Sequence, residues 1–106
     1  MNALFRRYEI LLPRRYNDGQ PVPDDLIADS LLELAERFGA SSSETQTIRG
    51  LWNYGGELFR DDLVRAFVDA PDDEASREFF LEFKERMKVR FQQLDIWMTT
   101  YPIEVL

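Results

Sequence analysis

Cysteine and histidine are both missing from this sequence, and their absence excludes more chemistry than any motif present suggests. Zinc, haem and iron–sulfur centres in their usual forms take ligands from these two residues, as do thiol nucleophiles and the usual general base at neutral pH. Carboxylate acid–base work, carboxylate-only metal binding and cofactor chemistry stay open, although neither a metal site nor a cofactor is expected. Lysine is scarce too: Lys84 and Lys88 are the only lysines among 13 basic residues. The rest are arginine, which suits bidentate pairing with carboxylate or phosphate and stacking on aromatic rings. Long apolar runs are lacking as well. No stretch approaches the ~20 residues of a bilayer crossing, and Met1 to Tyr8 leads straight into charged residues instead of the apolar core of a secretion signal. A cytoplasmic location with no membrane partner is the expectation.

What is present is acidic and well mixed. The net charge of −7 opposes attraction to nucleic acid phosphates or anionic lipid, so no nucleic acid partner is expected. With 106 residues, 44% hydrophobic and 31% charged, the chain reads as one folded domain spanning 1–106 with room for a real core.

Leu4 to Leu12 alternates as a strand, with Tyr8, Ile10 and Leu12 on one side and Arg7, Glu9 and Leu11 on the other. Pro13 ends it, and Asn17-Asp18-Gly19 marks a turn in the loop that follows. A helix from Pro23 or Asp24 to Phe38 has Asp24 and Asp25 at its positive end and Gly39 as a left-handed cap. Its stripe of Ile27, Leu31, Leu34 and Phe38 is core, and Asp25, Asp29, Glu33 and Glu36 form a solvated face. After the connector Ser41-Ser42-Ser43, Glu44 to Asp69 reads as two strands joined at Gly55-Gly56, which can take the positive φ of a tight hairpin. Thr47, Arg49 and Leu51 alternate with Ile48, Gly50 and Trp52, and Leu63, Arg65 and Phe67 with Val64, Ala66 and Val68. Asp61-Asp62 predicts a bulge or exposed edge. Asp72 is the expected N-cap of a second helix whose stripe is Phe79, Phe80, Phe83, Met87 and Phe91. Leu94 to Val105 is the last strand, with Ile96 and Met98 toward the helices, Trp97, Thr99 and Tyr101 away from them, and Pro102 on an edge.

The order β-α-β-β-α-β defines an α+β, ferredoxin-like sandwich, a four-stranded antiparallel sheet with two helices on one face and strand order 4-1-3-2. Its other face is open. By the alternations above, that face carries Arg7, Glu9, Leu11, Arg49, Leu51, Arg65, Phe67, Trp97, Thr99 and Tyr101, too apolar for water and too charged for a simple core.

Thr47, Arg49-Gly50-Leu51-Trp52, Gly55-Gly56, Phe59-Arg60-Asp61, an apolar strand and a helix closing on Val89-Arg90-Phe91-Gln92-Gln93 together resemble a family of small bacterial proteins of uncharacterised function with a ferredoxin-like layout, over roughly residues 44–98. The resemblance implies no activity and carries no site residue. Other ferredoxin-like groups fit less well. An RNA-recognition domain needs an aromatic, Gly-containing basic motif where Val64-Arg65-Ala66-Phe67-Val68 stands. An acylphosphatase-like enzyme needs a phosphate-cradling loop, and Pro13 to Gly19 has one glycine, though Arg14 and Arg15 leave anion binding open. Small ferredoxin-like monooxygenases that work as dimers have only composition in their favour.

Two functions follow. The first is an interaction module that homodimerises through the open face, with Trp97, Tyr101 and Phe67 as anchors and Arg7, Arg49 and Arg65 pairing with carboxylates across it. The alternative is a small-molecule binder or cofactor-independent enzyme holding a planar anion on that face through the same arginines. Whether the chain is an enzyme is left open.

Overall fold

The computed structural model describes residues 4–44 and 48–106. Thr47 therefore lies outside the described residues. The elements are β1 (Phe5–Pro13), α1 (Asp24–Phe38), β2 (Ser42–Ser43), β3 (Ile48–Tyr54), β4 (Glu57–Pro71), α2 (Glu74–Arg90) and β5 (Met98–Ile103). All strand pairings are antiparallel, in the order β5-β1-β4, with β2 and β3 both on the far edge of β4. This is the α+β layout expected, with one difference. The serine connector contributes a fifth, two-residue strand, because Ser42 and Ser43 pair with Phe67 and Ala66 while β3 pairs lower down, from Leu63 to Glu57.

Alternation along the strands decides which face is core. Tyr8, Ile10 and Leu12 of β1 and Val64, Ala66, Val68 and Ala70 of β4 are all buried, on the side where Leu34 of α1 and Phe80, Phe83 and Met87 of α2 complete the core. Both helices thus cover the same face, as right-handed crossovers require. Gly39 caps α1 at φ 87°, donating to the carbonyl of Ala35. At the hairpin, Gly55 and Gly56 have φ of 60° and 82°, so both central residues take the left-handed region that a two-residue turn favours. That turn pairs Tyr54 with Glu57, and the register runs unbroken from there to Ile48 and Leu63.

Two expectations are corrected and one alternative is decided. Asp61 and Asp62 form no bulge, since they pair one-to-one with Gly50 and Arg49 in a straight ladder. The edge alternative holds: they sit where the β3–β4 ribbon runs past the end of β1, whose pairing with β4 stops at Leu63. The N-cap of α2 is Asp73, not Asp72: the backbone N–H of Asp72 is still engaged by Leu4, whereas Asp73 is extended and accepts from the Ser76 N–H at 2.8 Å. The last strand begins at Met98 instead of Leu94. A left-handed Gln92 (φ 55°) turns the chain sharply after α2, with Gln92 and Gln93 donating back to Val89 and Lys88. This is a Schellman-type end without its usual glycine, at a cost of roughly 1–2 kcal/mol.

Glu33 is likewise not part of a solvated face. Its carboxylate ties α1 to α2 through Arg86 at 2.6 Å and Arg90 at 2.9 Å, while Arg90 also donates to the buried hydroxyl of Ser30. Burial pushes the Glu33 carboxyl up, but the hydrogen bonds from Arg90 and Arg86 outweigh it and hold it below its ordinary value of 4.5. A depressed carboxyl stabilises the fold above its unfolded pKa, and that contribution is lost as pH falls through the folded value. Stability should therefore drop on acidification below about pH 4.5. Glu33→Gln should lose about 1–2 kcal/mol at neutral pH and show a flatter acid limb in urea melts. An unchanged limb would show that the clamp does not set it.

Candidate functional site

The register arranges the open face as rows across the sheet. One row is Asp69, Arg7 and Tyr101; the next is Phe67, Glu9 and Thr99; the third is Arg65 and Leu11, with the Trp97 carbonyl accepting from the Leu11 N–H at 3.0 Å. In the first two rows the charges are paired within the chain. Arg7 holds Asp69 in a two-pronged hydrogen bond at 2.7 and 3.0 Å, and its guanidinium lies 4.7 Å from the centre of the Phe67 ring. The Asp69 hydrogen bond raises the Arg7 pKa further, so it is a permanent cation. Tyr101 donates to Glu9 at 3.0 Å, and Arg65 donates to Glu44 at 2.9 Å.

Arg49 is the expected site residue that this face does not contain. Pairing with Asp62 puts it in step with the buried Val64 and Ala66, across the sheet from Arg65 and Phe67. Leu51 shares that parity. Counting across the Gly55-Gly56 turn would have shown this: with Tyr54 opposite Glu57, Arg49 must fall opposite Asp62. Arg49 and Arg15 flank Asp62 at 3.7 and 3.9 Å on the helix side of the sheet. Arg15 also donates to the Gly19 carbonyl.

Of the six expected site residues, the structure brings together Arg7, Phe67 and Tyr101, with Arg65 beside them and Trp97 at the far end of the face. Around Trp97 the character changes. A groove of about 760 Å³ lies over the end of β1, floored by Leu11 and Pro13. The ribbon walls one side with Gly50, Leu51, Asp61 and Leu63, and the segment after Gln92 walls the other with Leu94, Asp95 and Trp97. Leu63, Leu94, Asp61 and Asp95 were not among the expected site residues. The available signal was Gly50, a glycine in mid-strand, which marks close approach or a gap in a side-chain layer. A Cβ there would sit 3.1 Å from Leu63 Cδ1.

Among the described residues no group of three or more acidic side chains is placed to hold a metal ion. No described helix is long and apolar enough to cross a membrane.

No family model and no curated protein matches this chain. Solved structures do. A phage SAM lyase in complex with S-methyl-5′-thioadenosine superposes with a TM-score of 0.70 at 11% identity, over 99% of this chain and 92% of that one. The divalent cation tolerance protein CutA1 from Thermus thermophilus gives 0.64 at 15%, over 93% and 84%. CutA1 from Oryza sativa gives 0.61 at 10%, over 99% and 84%. At such identities the likeness shows the fold alone, and that fold is the ferredoxin-like layout described above.

Proposed function

We propose that this chain is an interaction module, a single domain that self-associates as a homodimer through its open sheet face. The observation that carries this reading is Trp97, 67% exposed beside the exposed Leu94 at the groove that ends this face. Apolar surface grouped in this way is what interfaces bury, and aromatic residues are enriched at their centres. Phe67 and Tyr101 extend the contact along the sheet. The arginines take a different part from the one expected. Arg7 and Arg65 already hold carboxylates of their own chain, so a second copy laid over them covers balanced charge instead of supplying new partners. Sedimentation equilibrium at micromolar concentration should return twice the 12.5 kDa chain mass; a clean monomer overturns the proposal.

A second reading, a small-molecule site on the same face, has the groove in its favour. Its volume falls within the ~300–1,000 Å³ common for ligand pockets. One chain of the same layout, the phage SAM lyase, holds S-methyl-5′-thioadenosine. The planar anion suggested by the arginine content loses support, because Asp61 and Asp95 line this groove and Arg7, Arg49 and Arg65 do not.

A further inference from the structure

The groove over the end of β1 offers apolar surface and spare hydrogen-bond acceptors, while its acids are already engaged. Its apolar part is made by Leu11, Leu63, Leu94 and the exposed indole of Trp97. Asp95, on the segment leading into β5, is matched within the chain: Lys84 Nζ lies 3.3 Å from its Oδ1, the oxygen that also accepts from the Ile96 N–H at 2.9 Å. Asp61, on the ribbon, is not without a partner either, and among the described residues no lysine or arginine lines the groove. What the wall after α2 has left over is lone pairs. Among the described residues no hydrogen bond reaches Asp95 Oδ2, and Gln93 commits its amide Nε2 to the Phe91 carbonyl at 3.0 Å, which leaves its oxygen as the spare group.

We infer that this groove binds an uncharged flat ring carrying an N–H donor, its face against Trp97 and its N–H given to Asp95. The inference deepens the small-molecule reading of this face and rests on it. A ring removes apolar surface from water and packs on the indole. A charged ring would give up hydration and find neither an arginine for an anion nor an unmatched carboxylate for a cation. A ring with acceptors alone would meet Asp95 and Gln93 as acceptors too, and lose the hydrogen bonds that it made in water. An N–H answers that wall. Burial pushes the Asp95 carboxyl up, but the Ile96 N–H and Lys84 outweigh it and hold it below the usual carboxylate range, so the oxygen that accepts belongs to an ion and makes the stronger bond.

Bicyclic probes of similar size test it: indole, 1-methylindole, the anion indole-2-carboxylate and the cation N-methylquinolinium. Each is titrated at neutral pH into the isotope-labelled full chain while the tryptophan side-chain N–H signals are followed by NMR, that of Trp97 being assigned from Trp97→Phe. Indole should move the Trp97 signal and bind about tenfold tighter than 1-methylindole or either charged probe. In Asp95→Asn the amide oxygen still accepts from the Ile96 N–H while a donor takes the place of Oδ2, so the two uncharged rings should bind within about twofold of each other. Thermal melts and continued binding of 1-methylindole show that the groove of this variant is intact. Equal affinity of the parent chain for the two uncharged rings, tighter binding of a charged probe, or an indole preference that survives in Asp95→Asn would each overturn the inference and leave the small-molecule reading in place. No shift of Trp97 with any probe at millimolar concentration would remove both.

Discussion

Phe80→Ala is expected to cost about 3–5 kcal/mol of folding stability, the range for emptying a buried aromatic position. Phe80 is 2% exposed, and its ring lies parallel to Tyr8 with centroids 3.9 Å apart and parallel to Phe38 at 5.1 Å. It meets Phe79 edge-on at 5.4 Å and Phe83 at 6.5 Å. These contacts join three elements, since Tyr8 comes from β1, Phe38 from the last turn of α1 and the others from α2. Aromatic pairs contribute roughly 0.5–1.5 kcal/mol beyond area burial, so truncation both opens a cavity and unties the helices from the sheet. Against a total of about 5–15 kcal/mol for a domain of this size, the loss is a large share. In urea the midpoint should fall with the slope unchanged. A loss below about 1 kcal/mol would mean that the cluster repacks freely and is not the junction described.

The second large effect separates two adjacent residues. Ile96 is 3% exposed within the core and Trp97 is 67% exposed on the other side of the sheet. Ile96→Ala should therefore cost about 2–5 kcal/mol of folding stability and leave association untouched at concentrations where the chain is folded. Trp97→Ala should leave the melt nearly unchanged and weaken self-association by about 2 kcal/mol, close to thirtyfold in dissociation constant, as loss of an interface anchor does. Denaturant melts and sedimentation on both variants read the two quantities independently. If Trp97→Ala sedimented like the parent chain, Trp97 would not be an anchor. The homodimer reading would then have to rest on Phe67 and Tyr101 alone.

Much of the fold was legible because it rests on short-range rules. Gly39 and the Gly55-Gly56 pair announce left-handed backbone, and Tyr8, Ile10 and Leu12 or Phe80, Phe83 and Met87 announce which side is core by spacing alone. Cap placement was legible only to within a residue. Asp72 and Asp73 are equally good caps in sequence, and the choice is made by a backbone bond from Asp72 to Leu4, at the opposite end of the β1–β4 ladder from the hairpin. Glu33 looked like solvated surface because its partners Arg86 and Arg90 lie on another helix. The candidate site was less legible still. Arg7, Phe67 and Tyr101 were placed on one face correctly, but their internal pairing to Asp69 and Glu9 depends on register between strands from opposite parts of the chain. The groove depends on two features that no alternation pattern encodes: the turn at Gln92, and the overrun of the ribbon past β1.

The position of β1 between β4 and β5 also sets the order of events when the chain folds. Its Phe5 pairs with Pro71 on one edge and with Ile103 on the other, so neither ladder of the central strand can start from a local turn. Only the β3–β4 hairpin and the two helices can form from neighbours in sequence, on the microsecond scale of such elements. The core, however, needs Tyr8, Ile10 and Leu12 in place beneath the helices. Closure of two long loops onto one strand is therefore expected to limit the folding rate, so this small chain should fold more slowly than a helical bundle of its length.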